Sequence, residues 1–406
     1  MIWLVSLIVL LLPTYLIRFS VYDVPTTGLE ILIYASVIAI LASRPLATIF
    51  DNLKLLSRRF GGAILCLAVG VIVGIFSTED DRQALGLTKA YFLDPILFLL
   101  VLTTTLNTKE KLNRALWSLL IGGAFVGLSA LIIPVTADGR AIGLYSLDPT
   151  ASPNFLALFL APILPLATYQ LIVAKSLKIR LLASLVTLLI GYGLVSAGSR
   201  GGLMAAGFGL GLLIFWLAEQ HKSVTLRQAG RLGLLVLVVG ALIGGFLQAK
   251  PDFSVRPAHR VATSNNLRYE IWKTTIVDIL PKHWLSGSGL GNYQQKFTEL
   301  TKHRINYPEY IAPWALTPHN LILTFWVNLG IVGLIGLIWL LVIFFRLNPS
   351  PTKTPSLVLA LHVSMITLLV HGLVDSPYWK NDLALLFWIL IGFQYSLSQL
   401  AKDSHG

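Results

Sequence analysis

Long stretches without a charged side chain, separated by short polar clusters, recur from one end of the chain to the other. A helix of about 20 apolar residues crosses a hydrocarbon layer of roughly 30 Å. About twelve such runs can be read, near 2–18, 29–43, 60–77, 91–106, 115–134, 154–174, 179–197, 202–218, 231–248, 320–345, 356–374 and 383–400. The second and fourth are short, and Pro13 interrupts the first. No basic residue precedes that first run and no small-x-small pattern follows it, so it is expected to be retained, not cleaved as a signal peptide.

Only one polar segment is long, at residues 249–318. Within it, "NNLRYEIWKTTIVDIL" spaces Leu267, Ile271, Thr275 or Ile276, and Ile279 at helical intervals, with Asn265 or Asn266 as candidate N-cap. The spacing predicts an amphipathic helix lying on the membrane surface or on the bundle. Next, "LSGSGLGNYQQKF" places Gly287, Gly289 and Gly291 in a turn. No predicted strand precedes it, so it reads as a close backbone approach and not a nucleotide loop.

Composition fixes the class. Of 406 residues, 55% are hydrophobic and 12% charged, with a mean hydropathy of +0.75, well outside the range of a soluble domain. The expected fold is all-α, a polytopic membrane helix bundle of about twelve transmembrane helices, with one long outer loop containing amphipathic helices. Lys and Arg fall mainly in alternate short loops: Arg44, Lys54, Arg58 and Arg59, then Lys109, Lys111 and Arg114, then Lys175, Lys178 and Arg180, then Lys222, Arg227 and Arg231, then Arg346 and Lys353. That bias places both termini in the cytoplasm and residues 249–318 outside. Arg18, at the outer end of the first run, runs against it, whereas Asp23, Glu79, Asp80, Asp81, Asp138, Asp148 and Asp382 sit on the outer side. The lone cysteine, Cys66, lies in an apolar run and offers neither a disulfide nor a thiolate metal site.

The net charge of +12 is not only topogenic. The long outer loop is itself basic, and long loops escape the positive-inside rule, so its excess suits an anionic partner such as a phosphate or pyrophosphate headgroup, or else a plain solvated surface. Arg268 falls near the start of the amphipathic helix, where a cation opposes the helix dipole but can share an anion with the N-terminal amides. Arg200, in "SAGSRGGLMAAG", sits at the outer membrane boundary between glycines, either as a snorkelling anchor or as part of a site. His319 lies between Pro318 and Asn320 at the entry to the run 320–345. Helix entry accounts for Pro318 or Asn320 more easily than for His319, whose neutral imidazole can take a proton from a hydroxyl. Asp375, in "HGLVDSPYW", follows an apolar run near His371; a carboxylate there opposes the dipole and calls for a cation such as Arg200 or Arg268. His259, His283 and His303 are widely spaced and lack a carboxylate cluster, and there is no Asp-x-Asp pair. No metal, cofactor or nucleic-acid partner is expected.

Four segments in this order resemble the O-antigen ligase family of membrane glycosyltransferases, which shares its C-terminal region with O-antigen polymerases. They are "SRGGLMAA" (199–206), "LRYEIWKTTIVDILPKHWLSGSGLGNYQQKF" (267–297), "PHNLILTFWVNLGIVGLIG" (318–336) and "HGLVDSPYW" (371–379); "DPTASPNFLALFL" (148–160) is similar to the family's Pro-Asn helix entry. The resemblance divides the chain into N-terminal transmembrane helices, 1–150, and a catalytic region, 151–400. It implies a multi-pass protein of the cytoplasmic (inner) membrane with its active site outside. The donor would be a glycan on an undecaprenyl-pyrophosphate carrier, and the acceptor a lipid A core or another glycan. Arg200 and Arg268 would engage the pyrophosphate, with Asp375 and Asn320 also at the substrate site, and His319 would be the base in a metal-independent, inverting transfer. An exopolysaccharide or O-antigen polymerase, a protein O-glycan transferase and a secondary transporter are the competing readings.

Overall fold

The computed structural model describes residues 1–22, 24–133, 135–136, 139–148, 151–219, 223–228, 230–233, 264–304, 311–347 and 357–403. In chain order these form α1 (Ile2–Leu10), a hairpin of β1 (Arg18–Val21) and β2 (Val24–Thr27), α2 (Gly28–Ser43), α3 (Leu46–Phe76), α4 (Asp81–Thr88), α5 (Asp94–Thr105), α6 (Lys109–Ile132), α7 (Pro153–Val173), α8 (Leu177–Ser196) and α9 (Arg200–Glu219). There follow α10 (Ser264–Thr274), α11 (Leu280–His283), α12 (Tyr293–Thr301), α13 (Leu321–Arg346), α14 (Leu357–His371) and α15 (Asn381–Asp403). Among the described residues eight helical stretches are long and apolar enough to cross a membrane, and α2 and α14 are shorter apolar helices. The chain is an all-α polytopic membrane protein.

Ten of the apolar runs read from sequence therefore become helices. The first does not persist as one: α1 ends at Leu10, Pro13 enters a short 3-10 turn at Leu12–Leu16, and the chain reverses through the two-stranded hairpin. A proline has no N–H to continue the ladder, and the extended Arg18–Val21 pairs with Val24–Thr27 instead. All but the first three residues of the run 231–248 fall outside the described residues. The fourth run is longer than its sequence suggested, because α4 passes through a π turn at Lys89–Leu93 into α5.

Two close pairings set the frame around the outer loop. Where α3 crosses α13, a Cβ on Gly70 would lie 2.7 Å from the Gly333 Cα, so backbone meets backbone at a spacing only glycine allows. Further up, α13 is broken at Gly330 (φ 66°, ψ −173°), a conformation reserved for glycine. The glycine-rich turn slots into that break: Ser288 donates its N–H to the Val327 carbonyl at 2.6 Å, Ile331 to the Leu285 carbonyl at 3.2 Å, and Leu290 to the Gly74 carbonyl at 2.9 Å. The turn is thus a backbone splice between α3 and α13, and it anchors the outer segment to the bundle.

Above it the outer segment has a small core of its own, built on Ile271, Ile279, Tyr293, Phe297, Ile311 and Val327. The expected amphipathic helix is present but starts at Ser264, so Asn265 and Asn266 are inside it instead of capping it. A π turn at Thr275–Ile279 then rotates the register: Ile271, Thr275 and Ile279 are buried, while Ile276 and Val277 face outward.

Candidate active site

Four helix ends and the outer segment meet around one carboxylate. α14 ends at His371, and the chain turns through Gly372–Val374 so that the Asp375 N–H donates to the His371 carbonyl at 3.1 Å. The turn is fixed to α13: Leu321 donates its N–H to the Gly372 carbonyl at 2.7 Å, and the Asn320 amide donates to the Leu373 carbonyl at 2.9 Å while its oxygen caps α13 by accepting from the Leu323 N–H at 3.0 Å. Both ends of the Asn320 side chain are therefore occupied in joining two helix ends. His319, one residue earlier, takes φ +48°, an uncommon value for a residue with a side chain. That bend turns its ring away from α13 and toward Asp375.

Asp375 is 6% exposed and accepts from several sides. The His319 Nδ1 lies 3.3 Å from Oδ1, the Arg268 guanidinium 3.6 Å from Oδ2, the Asn154 amide donates to Oδ2 at 3.1 Å, and the Ser376 N–H donates to Oδ1 at 2.9 Å. Burial alone would push the Asp375 carboxyl up. The His319 hydrogen bond and charge, with the Arg268 guanidinium behind them, outweigh burial and hold it well below the usual carboxylate range. Asp375 is thus a fixed anion between the Arg268 guanidinium and the His319 ring.

Arg268 reaches this point because it shares a face of α10 with Ile271 and Trp272, three and four residues on. Ile271 seats the helix on the outer core, and the Trp272 indole donates to the Pro318 carbonyl at 2.8 Å, next to His319. Arg268 therefore sits one turn into α10 and faces a side-chain anion across the cleft, which a position over the helix amides alone would not have predicted.

The second ring nitrogen of His319 is also engaged, with Nε2 3.0 Å from the Trp314 carbonyl. Both neighbours are acceptors, and a neutral imidazole has a single N–H. A proton on Nδ1 is directed at Asp375, and one on Nε2 at the Trp314 carbonyl. The ring is held between a carboxylate on one side and a backbone carbonyl on the other.

Arg200 opens α9 on the same rim. Its side chain is exposed, and it is positioned by the two glycines that follow: a Cβ on Gly201 would lie 2.7 Å from a Val374 methyl, and one on Gly202 would lie 3.2 Å from the His371 ring. The glycines let α9 press against the turn that carries Asp375. Ser199 completes the entry, accepting the Gly202 N–H at 3.4 Å. Of the residues singled out from sequence, the structure thus joins His319, Arg268 and Asp375 by direct contact, brings Arg200 to the same rim, and commits Asn320 to the helix junction. Among the described residues no group of His, Cys, Asp and Glu has the geometry to hold a metal ion.

With the geometry in place, comparison with known families is specific. Residues 185–338 match the family model described as O-antigen ligase. Over this stretch the chain is similar to the O-antigen ligase family. That family groups membrane enzymes of the O-antigen ligase or polymerase kind, glycosyltransferase-like in chemistry. No curated protein matches the chain. The matched domain includes Arg200, Arg268 and His319 and stops before Asp375, so the carboxylate on which two of them converge is supplied from outside it.

Two members of the constellation had no functional signal in the sequence. Asn154 stood only in a Pro-Asn helix entry, and Arg140 in an unremarked loop; Asn154 donates to Asp375, and Arg140 donates to Asn154. A second charged cluster joins Arg18 and Asp148, read from sequence as topology alone, with Lys380. Arg18 and Lys380 both bond Asp148 Oδ2, at 2.9 and 2.7 Å, and the Lys380 ammonium lies 3.7 Å from the centroid of the Phe155 ring. The exception that Arg18 made to the charge rule follows from this need of a buried aspartate for cations.

Proposed function

We propose that the chain transfers a glycan from an undecaprenyl-pyrophosphate carrier to an acceptor hydroxyl, with ligation to a lipid A core as the preferred reaction. The observation that carries the reading is the convergence of Arg268 and His319 on the buried Asp375, at 3.6 and 3.3 Å. His319 takes the acceptor proton on Nε2 while Asp375 holds Nδ1–H and stabilises the imidazolium that forms. Arg268, with Arg200 from the opposite helix, meets the pyrophosphate as its charge grows on departure, the electrophilic role a metal fills in other transferases. One base and no carboxylate nucleophile at the reacting carbon make the displacement direct and inverting. Asn320 acts through the helix junction and sets where His319 stands.

Charge placement supports a cytoplasmic-membrane protein with both termini inside and the site outside. Cys66 is the only cysteine, so its replacement gives a background for single-cysteine labelling: a cysteine at residue 295 should react with an impermeant maleimide added outside, and one at residue 110 should not.

The test of function is transfer from a carrier-pyrophosphate glycan to candidate acceptors by the purified full chain. His319→Ala and Arg268→Ala should each lose most of the rate. Wild-type rates in both variants would end the mechanism. In cells, carrier-linked long polymer that fails to reach lipopolysaccharide indicates a ligase, and single repeat units indicate a polymerase.

A further inference from the structure

We infer that Arg140 and Asn154 are positioning residues that set the orientation of Asp375 and, through it, of His319. The inference rests on the role proposed above for His319.

The chain of contacts is continuous. The Arg140 Nη2 donates to the Asn154 Oδ1 at 2.9 Å, the Asn154 Nδ2 donates to the Asp375 Oδ2 at 3.1 Å, and the other oxygen of Asp375 faces His319 Nδ1 at 3.3 Å. A guanidinium can only donate and a carboxylate can only accept, so an amide between them has one satisfied orientation: oxygen to Arg140, nitrogen to Asp375. Without Arg140 the amide is free to turn, and its oxygen then opposes the carboxylate. Asp375 would lose one of the donors that leave Oδ1 pointing at the imidazole.

A simple helix-entry role does not account for Asn154. That role belongs to Ser152, whose hydroxyl accepts the Asn154 N–H at 3.3 Å, which leaves the Asn154 side chain with no capping duty. Nor is Arg140 a stray surface cation. Its Nε donates to the Ala197 carbonyl at 3.0 Å, and its Cγ would lie 3.2 Å from a Cβ on Gly198, so it lies against the turn that delivers Arg200. One guanidinium therefore touches both the turn before α9 and the amide that holds the carboxylate.

The experiment uses the full chain in detergent and compares Arg140→Ala, Arg140→Lys, Asn154→Ala and the Arg140→Ala/Asn154→Ala double variant. Nitrogen shifts of His319, assigned by its own substitution, read the tautomer without any turnover. The wild type should show the Nδ1–H form, Arg140→Ala and Asn154→Ala a mixture, and Arg140→Lys, which still offers a donor to Asn154, the wild-type form. In the transfer assay, Arg140→Ala should lower kcat by up to about a hundredfold with KM near wild type, and the double variant should be no worse than Asn154→Ala alone. An unchanged tautomer in Arg140→Ala, or losses that multiply in the double variant, overturns the inference. A network-dependent tautomer in a chain that transfers no glycan would keep the inference and remove the proposed function instead.

Discussion

Replacing Asp375 with asparagine keeps the volume of the side chain and removes its charge. The buried carboxylate accepts from His319, Asn154 and Ser376 and faces Arg268. An amide in its place has one acceptor and two donors, so at least one donor now points at Arg268, Asn154 or the imidazole N–H. A hydrogen bond to a charged group contributes about 1.5–3 kcal/mol. The Arg268 side chain is 20% exposed and its contact is long at 3.6 Å, so solvent retrieves part of that loss. The misorientation of His319 is then worth about 2–3 kcal/mol, or roughly 30- to 150-fold in kcat. Initial transfer rates at saturating donor and acceptor measure this directly, with a thermal melt of the same preparation as control for folding. Asp375→Asn retaining more than a third of the wild-type rate, in a folded protein, would refute the assignment of Asp375 as the group that orients the base.

Three further outcomes can be checked. The Asp375 pKa in the folded chain lies below its unfolded value of about 3.9; its contribution to stability is therefore complete above that pH and is lost as pH falls toward the depressed folded value, so the melting temperature of the wild type should fall in acid more steeply than that of Asp375→Asn. Gly330→Ala would force φ +66° on a residue with a Cβ and place that Cβ 2.0 Å from the Leu285 carbonyl, costing about 1–3 kcal/mol in strain before the overlap is relieved; a lowered unfolding midpoint, and weaker protease protection of the turn Leu285–Gly291, would register it, and an unchanged midpoint would show that α13 is not broken there. Gly202→Ala would meet the Ala157 Cβ at 2.8 Å and press on His371, so α9 must move outward; overpacking of this kind costs about 1–3 kcal/mol, and donor KM should rise more than acceptor KM if Arg200 serves the donor.

Much of this protein was legible without coordinates because a bilayer leaves few options. A backbone in hydrocarbon must satisfy its own hydrogen bonds, so length and polarity alone identify spanning helices. Ten apolar runs and the amphipathic helix of the outer loop were determined that way, and the glycines of the outer turn were correctly read as a close approach. The sequence also singled out His319, Arg268, Arg200 and Asp375 as candidates, from their places beside helix ends and glycines on the outer side.

What the tertiary structure decided was partnership. Nothing in the spacing of Arg268 and Asp375, 107 positions apart in sequence number, says which cation meets which anion. That follows from α10 being tethered through Trp272 to Pro318, and from α13 and α14 being joined through Asn320. Arg140 and Asn154 were invisible for the same reason: an isolated arginine in a loop and an asparagine in a helix entry acquire meaning only when packing lays them end to end beside a buried carboxylate. Periodicity and polarity are local properties and can be read along one chain segment; the orientation of a base depends on contacts among five segments that only packing brings together.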